Sequence, residues 1–221
     1  MATAVNEGNG CLEYPAGYVI REKPENQIAA WTNFLPKLDA GEIFRMLPYP
    51  RQLGVEEIFI VPKPHVFASS LGSATRFVLN CIGIDAGKIP VGVLERSERT
   101  ESALYVFSKI WRGDFWLIPA QLGFCRRGES MKQVRRSYAD KEFGFDLYLA
   151  TACLVSHSGR LTGEQWELGI DCPGNNNYIV NGFLPKAPCF QSFSGRRACN
   201  LNIVVRPNAR FGSATGFLPS S

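Results

Sequence analysis

The amino-acid sequence predicts an antiparallel β-sandwich of about eight short strands, on three observations. Runs of alternating apolar and polar residues recur through its second half. Bulky flat side chains and chain-breakers are both frequent: aromatics make up 12% of the 221 residues, and 21 Gly and 14 Pro interrupt them. One segment alone carries a strong helical period, whereas a parallel α/β fold would place helices between most strands.

Residues 1–54, punctuated by Pro15, Pro24, Pro36, Pro48 and Pro50, read as an extended N-terminal arm wrapped over another subunit, with a weak helix over 26–34. Strand signals begin at 57–61, closed by Pro62 and Pro64, and continue at 76–84 (RFVLNCIGI) and 91–94. The helix comes next. Thr100 suits its N-cap, Glu101 suits the positive end of its dipole, and Ala103, Leu104, Phe107, Ile110 and Trp111 recur at helical spacing until Gly113. Residues 114–123 (DFWLIPAQLG) are apolar on both faces and predict a sandwiched strand, with Pro119 marking a bulge or an edge. The odd positions of 143–155 are almost all apolar, and 165–171 and 200–206 alternate in the same way, so three further half-buried strands are expected. On this reading the sheet domain spans 55–210, and the Gly/Ser-rich residues 211–221 form a C-terminal tail.

The bulk chemistry argues against several function classes. A formal charge of +4 is a mild excess, short of the dense basic face of a dedicated nucleic-acid reader. Residues 1–10 hold no Lys or Arg, so neither a basic RNA-packaging arm nor the charged start of a secretory signal is expected. The apolar runs are shorter than the roughly 18 residues a membrane span needs, so no membrane partner is expected. Seven cysteines lie outside any CxxC spacing and no Asn-x-Ser/Thr site occurs; both point to a reducing compartment and free thiols.

Catalytic chemistry is sparse. The two histidines, His65 and His157, belong to no nucleophile-elbow pattern, and no phosphate-cradling glycine loop is present. Asp114, Asp140, Asp146 and Asp171 read as solvated carboxylates at strand ends. No catalytic residue, metal ligand set or cofactor is therefore expected. The basic segment 124–141 supplies the contact candidates: Arg126, Arg127, Lys132, Arg135 and Arg136 are placed at a subunit interface or against an anion or RNA phosphate.

Residues 102–117 (SALYVFSKIWRGDFWL) resemble the capsid proteins of picorna-like viruses, in which a short helix runs into a strand through a Trp-Arg-Gly step, here Trp111, Arg112 and Gly113. The stretch 199–219, with Arg-Pro-Asn and then Arg-Phe-Gly after a strand, is similar to the last strand and tail of the small coat protein of comovirus-type plant viruses. The turn at 171–175 (DCPGN) resembles a strand-ending turn of the same protein. This resemblance implies an eight-stranded antiparallel jelly roll with one or two short helices. It implies a non-enzymatic shell subunit, with Trp111, Arg112 and Gly113 as a structural helix–strand junction. The partners would be other capsid subunits and genomic single-stranded RNA, and the location a virion assembled in host cytoplasm. Two rivals stand beside it. A carbohydrate- or peptide-binding jelly roll would need an exposed aromatic platform such as Trp31 or Trp166, and an enzyme on a β scaffold would need His65 or His157 in a cleft with a carboxylate or thiol.

Overall fold

The structure, a computed structural model, describes residues 21–38, 54–161, 168–179, 184–193 and 196–219. Its sheet begins with β1 (Glu57–Pro62), paired antiparallel to β2 (Phe115–Arg127) with Glu57 opposite Ala120 and Pro62 opposite Phe115. Every residue of β2 from Phe115 to Gly123 is buried, so both of its faces are covered, as its unbroken apolar run requires. β2 shifts register between Leu122 and Arg127, where Gly123 takes a φ of +116°, and pairs with β7 (Phe211–Phe217). The other edge of β7 is shared: β3 (Glu142–Gly144) pairs antiparallel with its second half and β4 (Gly169–Asp171) parallel with its first. β5 (Lys186–Phe193) and β6 (Arg196–Ile203) extend beyond β4 and complete a mixed seven-stranded sheet in the order β1-β2-β7-β4-β5-β6.

Five α-helices accompany the sheet among the described residues: α1 (Pro24–Thr32), α2 (Leu71–Cys81), α3 (Glu98–Ile110), α4 (Met131–Arg136) and α5 (Leu147–Ser156). α5 lies inside the core, with all ten residues buried and α1, α2 and β1 packed against it. A helix apolar on every side belongs in an interior rather than at a surface. α3 packs against β2 and β3 and keeps its other side in solvent.

Several expectations are corrected. The β-sheet is the organising element, but the described strands make one mixed, unclosed sheet, not the eight antiparallel strands of a jelly roll. Residues 76–84 belong mostly to α2. Read from Leu71, the run places Ala74, Thr75, Val78 and Leu79 on one helical face, and Ser70 caps it by accepting from Ser73 N–H at 3.1 Å. Residues 91–94 form a 3-10 turn. The alternation over 143–155 ends at β3, because Asp146 starts α5 as an N-cap, accepting from Leu149 N–H at 2.8 Å. The even positions Tyr148, Ala150, Ala152 and Leu154 are apolar as well, and a run apolar at both parities fits a buried helix. β4 covers only the end of 165–171, whose first three residues lie outside the described ones. The N-cap of α3 is Ser97, not Thr100; Thr100 is fully buried and donates its hydroxyl to Gly144 O at 2.9 Å.

The supposed C-terminal tail is β7, a central strand. Its small residues are there for closeness: a Cβ on Gly212 would lie 1.9 Å from Gly123 O, and one on Gly216 would lie 2.6 Å from the Phe143 ring. Within the expected N-terminal arm, α1 docks onto its own chain. Gln27 accepts from Ile60 N–H at 2.9 Å and donates to Ile58 O at 3.1 Å, and the Trp31 indole donates to Ile60 O at 3.1 Å. Two side chains thereby stand in for a strand along the free edge of β1.

Gly212→Ala is expected to cost about 3 kcal/mol or more, since backbone on both sides must move. Gly83→Ala, with nothing within 4 Å of the added Cβ, meets only the strain of its φ of +77°. Thermal melts followed by circular dichroism should show the first variant far below the second.

Candidate functional site

The helix–strand junction is built into the core. Trp111 is the C-cap of α3 and is 7% exposed, and its carbonyl accepts from the buried Lys63 ammonium at 2.5 Å. Arg112 is exposed and Gly113 half-buried. Among the described residues the glycines with a left-handed backbone are Gly54, Gly83, Gly123 and Gly128, so Gly113 turns the chain without a positive φ.

The basic segment divides into internal clamps and free charges. Arg126 reaches from the end of β2 to the buried Glu142, at 2.5 Å, and to Ser137 O at 3.2 Å. Arg127 donates to Ala209 O at 2.9 Å. Arg135, on α4, donates to Pro173 O at 2.8 Å, to Asn175 O at 2.6 Å and to the Asn177 side chain, holding the 173–177 turn against α4. The Arg126 and Arg135 guanidinium groups are thus tied into their own fold, whereas Arg127 stays exposed with one backbone acceptor. Lys132 and Arg136 are exposed.

The acidic residues are corrected too. Asp146 is 1% exposed and ion-pairs with Arg96, while Asp171 is 3% exposed and accepts from Asn202 at 3.0 Å. Burial pushes the Asp171 carboxyl up to about 6. Neither is a solvated strand-end carboxylate.

A buried polar cluster, not foreseen from the sequence, lies where β1 begins and α5 ends. His157 caps α5 and is 2% exposed. Its Nε2 lies 2.7 Å from Glu57 Oε2, and its Nδ1 lies 2.9 Å from Ser156 Oγ and 3.1 Å from Cys153 O. Glu57 also accepts from the Gln27 amide at 3.3 Å and from Glu22 N–H at 3.2 Å. Next to it, burial pushes the Glu56 carboxyl from its ordinary 4.5 up to about 7, against the opposing pull of Arg160.

Ser156, His157 and Glu57 have the composition of a hydrolytic triad but not its setting. Ser156 occupies the last turn of α5, where carbonyl groups and the negative end of the dipole converge. An oxyanion formed there would meet acceptors instead of the N–H donors that acyl transfer needs. The nearest thiol, Cys153, is fully buried and burial holds its pKa well above the ordinary value, so it is not a nucleophilic thiolate. The cluster ties α1, β1 and α5 together.

Among the described residues no group of three His, Cys, Asp or Glu side chains is arranged to hold a metal, and the six described cysteines are free. No described helix is long and apolar enough to cross a membrane. Trp31, one of the aromatic platforms considered, is fully buried, and Trp166 lies outside the described residues. His65 is exposed in a 3-10 turn.

The surface of α3 differs from these internal arrangements. Tyr105 is 64% exposed, and Val106 and Ile110 lie beside it at 39% and 42%. Tyr105 stands on the outer stripe of the helix, and Val106 and Ile110 follow about 100° and 140° round from it. Comparison with protein-family models, with curated proteins and with solved structures returns no match.

Two measurements check these assignments. Arg135→Ala should cost about 2 kcal/mol or more, because three acceptors lose a charged donor, whereas Arg136→Ala should fall within about 0.5 kcal/mol of wild type. Denaturant unfolding of the two variants separates an internal clamp from a free charge. Glu56 sets a pH dependence: its folded pKa is raised, so its contribution is most favourable below pH 4.5 and is lost as pH rises to about 7. Glu56→Gln should remove that slope, gaining on the order of 3 kcal/mol over wild type between acid and neutral pH. Parallel slopes for the two proteins across this window would contradict the assignment.

Proposed function

We propose that the protein is a structural subunit that works by associating with other protein chains, in the role that its resemblance to viral coat proteins implies. The exposed apolar side chains of α3 carry this reading, because Tyr105, Val106 and Ile110 sit on the helix that leads into the Trp111-Arg112-Gly113 step. What surrounds that surface supports it. The acid–base cluster is enclosed at a helix C-terminus, and Arg126 and Arg135 of 124–141 are engaged by their own fold.

The specific form of the proposal is a shell subunit of a small RNA virus. It takes from that family the role and not the strand order, since the seven described strands form one mixed sheet in place of a jelly roll. Genomic RNA is the weaker partner in this reading: of the basic candidates only Arg127, Lys132 and Arg136 are exposed, and Arg127 already donates to Ala209 O, which leaves too few for a strong counterion-release term. The enzyme alternative draws on the His157–Glu57 pair, and the position of Ser156 among helix carbonyls argues against it.

Sedimentation velocity and negative-stain microscopy of the purified protein test the proposal. Concentration-dependent oligomers or closed particles are expected. A strictly monomeric species at high micromolar concentration, alone and with co-expressed partner chains, would overturn it.

A further inference from the structure

We propose that α3 pairs antiparallel with α3 of a second copy of this chain across a two-fold axis at Tyr105. This inference rests on the subunit reading above and names the partner of its exposed surface.

The order of charges along the helix carries the argument. Glu98 and Glu101 occupy the first turn, Lys109 the last, and Arg112 follows the C-cap; all four are exposed. Tyr105 sits midway, with Glu98 and Arg112 seven positions to either side of it and Glu101 and Lys109 four positions to either side. At 100° per residue, Glu98, Glu101 and Lys109 fall within about 40° of Tyr105, so they share one stripe with it. Among the described residues none of these four charges is in an ion pair; Lys109 lies over the Tyr105 ring at 4.9 Å.

A two-fold axis through Tyr105 turns this order into self-complementarity. Glu98 of one copy meets Arg112 of the other, Glu101 meets Lys109, and the two Tyr105 rings meet at the centre. In an antiparallel pair the same flank of each helix meets its own copy, so Val106, about 100° round from Tyr105, flanks the contact beside its counterpart, while Ile110, about 140° round, lies outside it. A parallel pair would instead set Glu against Glu and Lys against Lys. An isologous contact of this kind is the commonest way identical chains associate. The stripe of one 13-residue helix is small beside a standard interface, so the contact is weak by itself and gains strength where several contacts act together.

Two charge variants test it. The variant E98K/E101K makes the stripe wholly basic, and K109E/R112E makes it wholly acidic. Each alone should lose self-association by roughly a hundredfold or more, because every cross-axis contact becomes a like-charge contact. An equimolar mixture of the two should associate again, as a heterodimer of one basic and one acidic chain. Rescue on mixing separates charge pairing from misfolding, which mixing does not repair. Analytical ultracentrifugation of wild type, each variant and the mixture reads all arms. If both variants self-associate as wild type does, the α3 pairing is wrong while the subunit reading stands. If they lose association and the mixture does not regain it, the antiparallel register is wrong. If wild type itself stays monomeric, both proposals fall.

Discussion

The complete burial of α5 is the constraint on which the rest of the chain depends. A helix enclosed on every side can leave no polar group without a partner: both ends of α5 and its Tyr148 phenol are answered from elsewhere in the fold, and the hydroxyls of Thr151 and Ser156 by carbonyls of α5 itself. Asp146 caps its first turn and is neutralised by Arg96, and Asn175 accepts from Leu147 N–H at 2.7 Å. Tyr148 donates its phenol to Pro62 O and Thr151 its hydroxyl to Leu147 O, both at 2.5 Å. At the far end His157 meets Glu57. These partners come from β1, from the 173–177 turn and from the segment before α3, so satisfying one helix fixes the placement of most of the molecule. Arg135 belongs to the same chain of dependence, because it holds the turn from which Asn175 reaches α5.

The sheet edge shows the same economy. An uncovered β1 would offer a row of backbone donors and acceptors to any passing strand. Gln27 and Trp31 occupy that row from α1, and Glu57 joins the start of α1 to the end of α5. The prolines before residue 54 suggested an arm that belongs to a neighbour, yet the described helix within that region serves its own core. With this edge covered and the polar clusters turned inward, the large apolar side chains left in solvent lie elsewhere, and among the described residues Tyr105 of α3 is the most exposed of them.

What could be read from the sequence follows from how local the signal was. β1, β2 and α3 carry their information within one run: an apolar stretch closed by prolines, an apolar stretch too long for a single covered face, and a stripe at helical spacing. α5 was misread because Phe143, Phe145, Leu147 and Leu149 satisfy a period of two when the residues between them are ignored. β7 was taken for a tail because Gly212 and Gly216 look like flexibility. They are in fact close contacts with Gly123 and Phe143, residues far away in sequence. The arginines of 124–141 look alike in composition, and only the folded chain assigns Arg135 to three acceptors and leaves Arg136 in solvent. The Glu57–His157 pair spans 100 positions and gave no local sign of itself.

Native-state amide hydrogen exchange across residues 147–156 tests the buried-helix account most directly, because exchange from a fully enclosed helix requires the domain to unfold. The amides from Thr151 to Ser156 should be the slowest in the protein, exchanging with the free energy of global unfolding and showing the sequential amide contacts of a helix. Exchange as fast as that of the solvent-facing side of α3, or a strand-like contact pattern over these residues, would contradict it.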